Sequence, residues 1–194
     1  MSKELWLASG NRGKLIEFKT LLPQLDIHSQ SELSVFSAPP ENGKTFEENA
    51  RIKARALKAV KSGVWVAGED SGLEVQGLNN MPGIHSARYA GPNARDAENV
   101  AKLLKMMSLR SAQNRKAKFL CCLVVYSPDG KEYVFEGTLE GSISKNVQGT
   151  EGFGYDPVFI PEGETQTLAQ LGLTFKNKIS HRAQAIRKMQ ELFA

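Results

Sequence analysis

The sequence predicts an α/β fold, with one domain built around a mixed sheet. Apolar strand-like segments alternate with amphipathic helical segments, and two neighbouring strand-like segments form a hairpin pattern. No repeat, linker or low-complexity segment interrupts the 194 residues. A chain of this length can bury one sizeable core without requiring a second domain. We therefore expect a single domain over residues 1–194.

The N-terminal half predicts two strand–helix pairs. Residues 3–8 form the first predicted strand, and a helix follows from Lys14 to about Leu22, where Pro23 ends it. The sequence TFEE at 45–48 has the form of a capping box, which opens a second helix that Gly63 stops. Residues 64–67 form a short apolar strand that we expect to be buried.

The C-terminal half predicts two helices and a hairpin. Residues 96–107 place Val100, Leu103 and Leu104 on one helical face. Residues 117–126 and 131–138 are the predicted hairpin strands, joined by the turn sequence SPDG at 127–130. Ser180 is the expected cap of a final helix that runs to about residue 193.

Composition limits the class of protein. The apolar fraction of 41% is ordinary for a globular domain, and no apolar run approaches the roughly 20 residues that span a bilayer. The start of the sequence has no signal-peptide pattern, and Cys121 and Cys122, adjacent on a predicted strand, point to opposite faces. We therefore expect a cytoplasmic protein without membrane contact, whose net charge of +4 suits the binding of anions.

The loop LASGNRGK at residues 7–14 has the composition of a phosphate-binding turn. It follows a strand and precedes a helix, so unpaired helix N–H groups face the turn, where an anion is favoured. It fits neither the P-loop spacing nor the dinucleotide fingerprint G-x-G-x-x-G. The alternative is a plain tight turn with a solvated lysine at position 14.

The segment GEDSG at residues 68–72 places two carboxylates after a strand. Mg²⁺ prefers oxygen ligands and needs only one or two carboxylates when substrate phosphates complete its shell. The pair Glu69 and Asp70 is therefore a candidate metal site at the end of that strand. The alternative is a turn in which Asp70 and Ser71 bond to local backbone.

Two later clusters combine glycine, aromatic and charged residues. The first is EGFGYDP at 151–157, which is either a binding loop or a surface loop whose aromatic side chains fill the core. The second is KNKISHR at 176–182, which places His181 and Arg182 in the first turn of the last helix. With three histidines in the whole chain, we do not expect a His-rich metal site.

Six motifs, taken in order along the chain, resemble those of a known family. They are SGNRGK at 9–14, TFEENARIKA at 45–54, EDSGLEV at 69–75, PGIHSARYAG at 82–91, GFGYDP at 152–157 and SHRAQA at 180–185. Jointly they are highly specific and cover nearly the whole chain. On these motifs the chain resembles the inosine triphosphate pyrophosphatase family, whose enzymes clear deaminated purine nucleoside triphosphates, and within it the bacterial type.

The resemblance implies both an architecture and a reaction. It implies an elongated mixed sheet with flanking helices in two lobes, a nucleotide cleft between them, and a homodimer. It implies that ITP, dITP and XTP are hydrolysed to the monophosphate and pyrophosphate, with Mg²⁺ as the cofactor.

Family roles carry over to matching positions of this sequence. Asp70 matches the general base and metal partner, and Glu41 matches a metal-binding glutamate. The matching substrate-binding positions are Ser9, Gly10, Asn11, Arg12, Gly13, Lys14, Lys53, Ser71, Phe153, Gly154, Tyr155, Asp156, Lys176, His181 and Arg182. Bacterial members often have Ala-Asp-Asp-Ser where this chain has GEDS at 68–71, so Glu69 has no assigned role.

Three further expectations concern the charged side chains and the reaction pathway. Lys14 and Lys53 should be partly exposed without substrate. Arg182, which has five donors and no acceptor, should present donors to the six-position keto oxygen of the base. No nucleophile–base pair is evident, so hydrolysis should proceed without a covalent intermediate.

Other functions remain open from sequence alone. A pyrophosphatase of similar fold could act on other modified or on standard nucleotides. An RNA-binding module is a second alternative, because Lys and Arg outnumber Asp and Glu by 25 to 21. The basic residues are spread rather than clustered and no RRM-type aromatic signature is present, so we expect no nucleic-acid partner. A nucleotide sensor without turnover would leave Asp70 and Glu41 without a purpose.

Overall fold

The computed structural model describes residues 3–110 and 113–193. Its single sheet has seven strands: β1 (Glu4–Ala8), β2 (Asp26–Ser29), β3 (Trp65–Val75), β4 (Met81–Pro82), β5 (Lys116–Tyr126), β6 (Glu132–Ile143) and β7 (Phe159–Pro161). The strand order is β2-β1-β3-β5-β6-β7, with β4 on β3. β1 is parallel to β2 and β3, whereas β4 and β7 are antiparallel to their partners. The predicted mixed α/β class is confirmed.

Five α-helices accompany the sheet in the described residues. They are α1 (Arg12–Leu21), α2 (Phe46–Val60), α3 (Asp96–Leu109), α4 (Leu168–Ile179) and α5 (His181–Gln190). Asn11 caps α1 and Thr45 caps α2, each accepting a backbone N–H through its side-chain oxygen. Within residues 3–110 and 113–193, no helix combines the length and apolarity that a membrane crossing requires.

One strand differs from its prediction in a way that affects the site. β3 was expected to end before residue 68, but it continues to Val75, so Glu69 and Asp70 lie inside the strand. Gly68 lies where α2 crosses close by: a Cβ there would be 2.1 Å from the carbonyl oxygen of Ala50. The missing side chain therefore lets α2 approach the strand directly beside the two carboxylates.

The chain divides into two compact units. The described part of unit 1 comprises residues 3–70, 121–137 and 182–193. One of its apolar clusters joins Leu5 and Phe18 to Cys121 and Ile186, and another joins Ala50 and Ala54 to Cys122. The two cysteines thus lie in separate clusters and both are free thiols, as their opposite orientation on a strand predicts.

Unit 2 comprises residues 71–120 and 138–181, of which 111 and 112 lie outside the described residues. Its single large cluster joins Leu73 and Leu103 to Phe119, Tyr155 and Phe159. The helices α3 and α4 belong to this unit, as does the loop at 151–157. Unit 2 therefore holds the glycine-rich aromatic motif on a core of its own.

Candidate active site

The glycine-rich loop in unit 1 connects β1 to α1 and is ordered by short-range hydrogen bonds. Asn11 Oδ1 accepts from the Lys14 N–H at 3.0 Å, and Ser9 Oγ accepts from the Asn11 N–H at 3.2 Å. Ser29, at the end of β2, donates its hydroxyl to the Ser9 carbonyl at 2.8 Å. These bonds hold the exposed loop at the start of a helix, where N–H groups favour an anion.

A buried ion-pair chain begins at this loop. Lys14 Nζ lies 2.5 Å from Glu69 Oε2, and Arg182 Nη2 lies 3.0 Å from the other carboxylate oxygen of Glu69. Arg182 Nη1 then contacts Glu17 Oε2 at 2.5 Å. Two carboxylates and two cations therefore alternate through the interior of unit 1.

The charges in this chain fix the ionisation of Glu69. Burial opposes the charged form, but the attraction of Arg182 and Lys14 outweighs it, so the pKa of Glu69 is held well below its ordinary value. The same carboxylates raise the pKa of Arg182 despite its complete burial. The ionised form of Glu69 is therefore favoured, and it lies against Lys14 at the start of α1.

Asp70 faces a different set of partners on α2. Lys53 Nζ donates to Asp70 Oδ1 at 2.8 Å, and Asn49 Nδ2 donates to Asp70 Oδ2 at 3.2 Å. Lys53 also donates to Glu41 Oε1 at 2.9 Å. One ammonium group thus joins the two carboxylates for which the sequence predicts a metal role.

Burial and charge act in opposite directions on this cluster. Burial raises the pKa of Asp70, and Lys53 and Lys14 offset only part of that rise. Burial lowers the pKa of Lys53, but attraction to the Asp70 and Glu41 carboxylates raises it by more. The pKa of Lys53 is therefore above its ordinary value. The expectation of a partly exposed lysine holds for Lys14 but is wrong for Lys53, which is buried because it neutralises two carboxylates.

The oxygen donors of Glu41 and Asp70 fit a hard cation. Both converge on the Lys53 ammonium, so together they form a preorganised two-carboxylate set for a positive group. Across the described residues, no group of three or more His, Cys, Asp or Glu side chains could hold a metal ion alone. Mg²⁺ suits such a site because it keeps waters and takes further oxygen ligands from phosphates.

The predicted nucleoside-binding residues lie mostly in unit 2. Asp156 Oδ2 accepts from Lys176 Nζ at 2.6 Å and from the Phe153 N–H at 3.0 Å. The Lys176 ammonium also lies 4.3 Å from the centroid of the Phe153 ring, within cation–π range. Phe153, Asp156 and Lys176 therefore form one connected group, with the aromatic ring half-buried.

Two other predicted contacts are part of the core of unit 2. Tyr155 is buried, and its hydroxyl donates to the Ser86 carbonyl at 2.8 Å. Burial raises the pKa of Tyr155, which keeps the phenol a hydrogen-bond donor. His181 is also buried, with its ring stacked on Phe119 at a centroid distance of 4.7 Å. Ser71 is partly buried in β3.

The position of Arg182 differs from the sequence expectation. Its guanidinium is in the interior of unit 1, 1% exposed, with Nε, Nη1 and Nη2 all directed to Glu69 and Glu17. Donors engaged in this way are not displayed to a base. The geometry instead gives Arg182 the task of holding Glu69, and through it Lys14.

Asn49 and Glu17 contact the site but were not predicted from the sequence. Asn49 is fully buried, and its Oδ1 accepts from the Gly43 N–H at 2.9 Å while its Nδ2 binds Asp70. A signal was available: Asn49 precedes Lys53 by four residues, so the two share a helix face that also carries Ala50 and Ala54. Glu17 offered a similar signal as a carboxylate next to Phe18 on the buried face of α1.

Comparisons with known proteins cover nearly the whole chain. The profile of the Ham1 family matches residues 5–192. A curated dITP/XTP pyrophosphatase of Bdellovibrio bacteriovorus is 59% identical over 191 residues, which are 97% of this chain and 96% of the relative. Another, of Bacillus licheniformis, is 43% identical over 192 residues, covering 98% and 97% respectively.

Solved structures give the same result for the fold. The Staphylococcus aureus Ham1 protein superimposes with a TM-score of 0.85 at 42% identity, covering 98% of both chains. A HAM1 protein from Coxiella burnetii gives a TM-score of 0.86 at 39% identity, again with 98% coverage of both.

Proposed function

Because the chain belongs to the Ham1 family, we propose that it hydrolyses the deaminated purine nucleoside triphosphates ITP, dITP and XTP to the monophosphate and pyrophosphate. The names of the relatives at 59% and 43% identity support this choice of reaction and base. The family profile spans both units, which supports the proposal that residues 1–194 act as one functional domain.

The observation that carries the proposal is the environment of Asp70. Its carboxylate is buried, has a raised pKa, and is held at both oxygens by Lys53 and Asn49. A carboxylate with a raised pKa is a stronger base than one with the ordinary aspartate pKa. The fixed orientation of Asp70 also suits the activation of one water molecule. Asp70 would take the proton from the water that attacks the α-phosphorus.

The phosphates need positive charge and N–H donors. A nucleoside triphosphate carries about four negative charges near neutral pH. Lys14 and the N–H groups at the start of α1 would bind the outer phosphates, with Ser9 and Asn11 holding the loop. Lys53 already lies against Asp70 and Glu41, and it would offset charge close to the reacting atoms.

Glu41 and Asp70 would hold Mg²⁺. When bound, the ion polarises the α-phosphoryl group and stabilises the charge that develops on the leaving pyrophosphate. Glu41 would supply one oxygen and Asp70 another, and Lys53, which contacts both carboxylates, would orient them.

The nucleoside would be bound by residues of unit 2. Phe153 offers an aromatic face, and the paired Asp156 and Lys176 offer an acceptor and a donor. Stacking favours any base, so the choice of a keto purine must come from polar groups. We assign Arg182 an indirect role through Glu69 instead of direct contact with the base.

The family resemblance also supports a cytoplasmic homodimer with no nucleic-acid or membrane partner. Light scattering coupled to size-exclusion chromatography would give the mass in solution, and a mass of one chain would reject the dimer.

The reaction is tested by its products. Purified protein would be incubated with dITP and Mg²⁺, and then pyrophosphate, orthophosphate and dIMP would be measured separately. Equal amounts of pyrophosphate and dIMP, abolished by EDTA and restored by Mg²⁺, would support the proposal. Orthophosphate with dIDP would show that the β–γ bond is cleaved and would reject it.

A further inference from the structure

The loop at 151–157 is held by two carboxylates that bind neighbouring N–H groups. Asp156, inside the loop, accepts from the Phe153 N–H at 3.0 Å. Asp96, in the first turn of α3, accepts from the Gly154 N–H at 2.6 Å through Oδ2. One anchor therefore comes from the loop itself, and the other comes from a helix that begins 58 residues earlier in the chain.

The second anchor binds the N–H of a glycine in the left-handed conformation. Gly154 has a φ of 62°, in the left-handed region that favours glycine. The peptide between Phe153 and Gly154 adjoins the Cα that carries the Phe153 ring, whose centroid lies 4.3 Å from the Lys176 ammonium. A charge-assisted hydrogen bond to that peptide limits its rotation, and such bonds are stronger than neutral ones.

We propose that Asp96 is a positioning residue for nucleoside binding, because it fixes the Phe153–Gly154 peptide and thereby the aromatic face that receives the purine. This inference rests on the proposed role of the loop at 151–157 in nucleoside binding. Asp96 acts through the loop, and its effect should appear in the affinity for substrates that carry a base.

Glu98 offers a matched control in the same helical turn. It is also an exposed acid in the first turn of α3, but its carboxylate accepts from the N–H of Arg95 at 2.7 Å and from the Arg95 side chain at 3.0 Å. Removal of Glu98 or Asp96 takes one negative charge from the same helix N-terminus. The two variants therefore match in helix charge, but Glu98→Ala loses contacts to Arg95, whereas Asp96→Ala loses the contact with the loop.

The experiment compares Asp96→Ala, Asp96→Asn and Glu98→Ala with the wild type. For each protein, kcat and KM would be measured with dITP, and inorganic tripolyphosphate would be titrated as an inhibitor without a base. Loss of one charge-assisted bond should raise KM for dITP about tenfold in Asp96→Ala. We expect kcat to stay within about threefold, since the reacting groups are unchanged. The inhibition constant for tripolyphosphate should match the wild-type value.

The conservative variant provides the rescue. Asn keeps an oxygen that can accept from the Gly154 N–H, so Asp96→Asn should recover most of the lost affinity. A KM in Asp96→Ala equal to that of Glu98→Ala would overturn the inference, as would weaker tripolyphosphate inhibition by the same factor as KM. If the wild type releases no pyrophosphate from dITP, the proposed function fails separately. In that case, the affinity for dIMP would be measured by calorimetry to test Asp96. Equal affinity in the wild type and Asp96→Ala would reject the positioning role of Asp96.

Discussion

Lys53 and Asp70 form a buried ion pair, with Nζ 2.8 Å from Oδ1, beside Gly68, where α2 lies close to β3. Asn49, one helical turn before Lys53, binds the other carboxylate oxygen. Both oxygens of Asp70 are therefore held by one face of one helix. The close approach depends on Gly68, because a side chain at that position would clash with the α2 backbone.

The first prediction is that Asp70→Asn removes most activity but leaves the protein folded. Asn keeps the size of the side chain but cannot accept the proton from water, and loss of a general base typically costs about 10²–10⁴ in rate. The measurement is kcat for dITP together with circular dichroism. Asp129→Asn, in an exposed turn, is the matched control and should retain full activity. Activity of Asp70→Asn within about threefold of the wild type would contradict the assignment.

The second prediction concerns pH. Because burial raises the pKa of Asp70, kcat/KM should fall as the pH drops through a value above the ordinary aspartate pKa of 3.8. Lys53 lowers that pKa, so Lys53→Met should move the acidic limb of the profile to higher pH. The measurement is a pH–rate profile for both proteins. An unmoved or oppositely moved limb would show that Asp70 is not the titrating base.

The third prediction is that Arg182 supports the fold of unit 1. Arg182→Met leaves Glu17 and Glu69 buried without their shared cation, and breaking a buried pair in this way costs about 3–5 kcal/mol of unfolding free energy. Chemical denaturation would measure the loss. Arg55→Met, which removes a mostly exposed guanidinium, should have a much smaller effect.

The same variant separates two roles for Arg182. If Arg182→Met keeps the stability of the wild type but loses its preference for ITP over ATP, then the guanidinium reads the base directly. We expect the reverse order of effects, with a large loss of stability and a smaller change in preference.

The fourth prediction is that Lys14→Ala weakens substrate binding and costs less stability than Arg182→Met. Lys14 is the more exposed member of its pair, and Glu69 retains Arg182 when Lys14 is removed. KM for dITP should rise, while the melting temperature should fall less than in Arg182→Met, because Glu69 loses only one of its two cations. Lys19→Ala, an exposed lysine on the same helix, is the control. A large drop in melting temperature with unchanged KM would make Lys14 structural.

Much of the fold could be predicted from local patterns. The capping box TFEE indicated α2, helical periodicity indicated α3, and the turn SPDG indicated the hairpin of β5 and β6. The length of β3 could not be predicted, because GEDSG has the composition of a turn and only pairing with neighbouring strands keeps it extended. Helix α4 was also missed, since Gly172 interrupts it with a φ of 83°.

The residues of the candidate site were also only partly predictable from the sequence. Motif resemblance indicated Asp70, Glu41 and Lys53, and the structure brings these three side chains together. It did not indicate Asn49 or Glu17, which are polar residues on buried helix faces. The partners of Arg182 are 113 and 165 residues away in sequence, so only tertiary packing could show that its donors are already engaged.

The proposed hydrolysis of deaminated purine nucleoside triphosphates is best tested by comparing bases. The measurement is kcat/KM of the wild-type protein for dITP, XTP, ATP and GTP under the same Mg²⁺ concentration, with pyrophosphate as the detected product. We predict values for dITP and XTP at least about a hundredfold above those for ATP and GTP, because a site that pairs with one polar group can reject its analogue by large factors. Comparable values for dITP and ATP would contradict it.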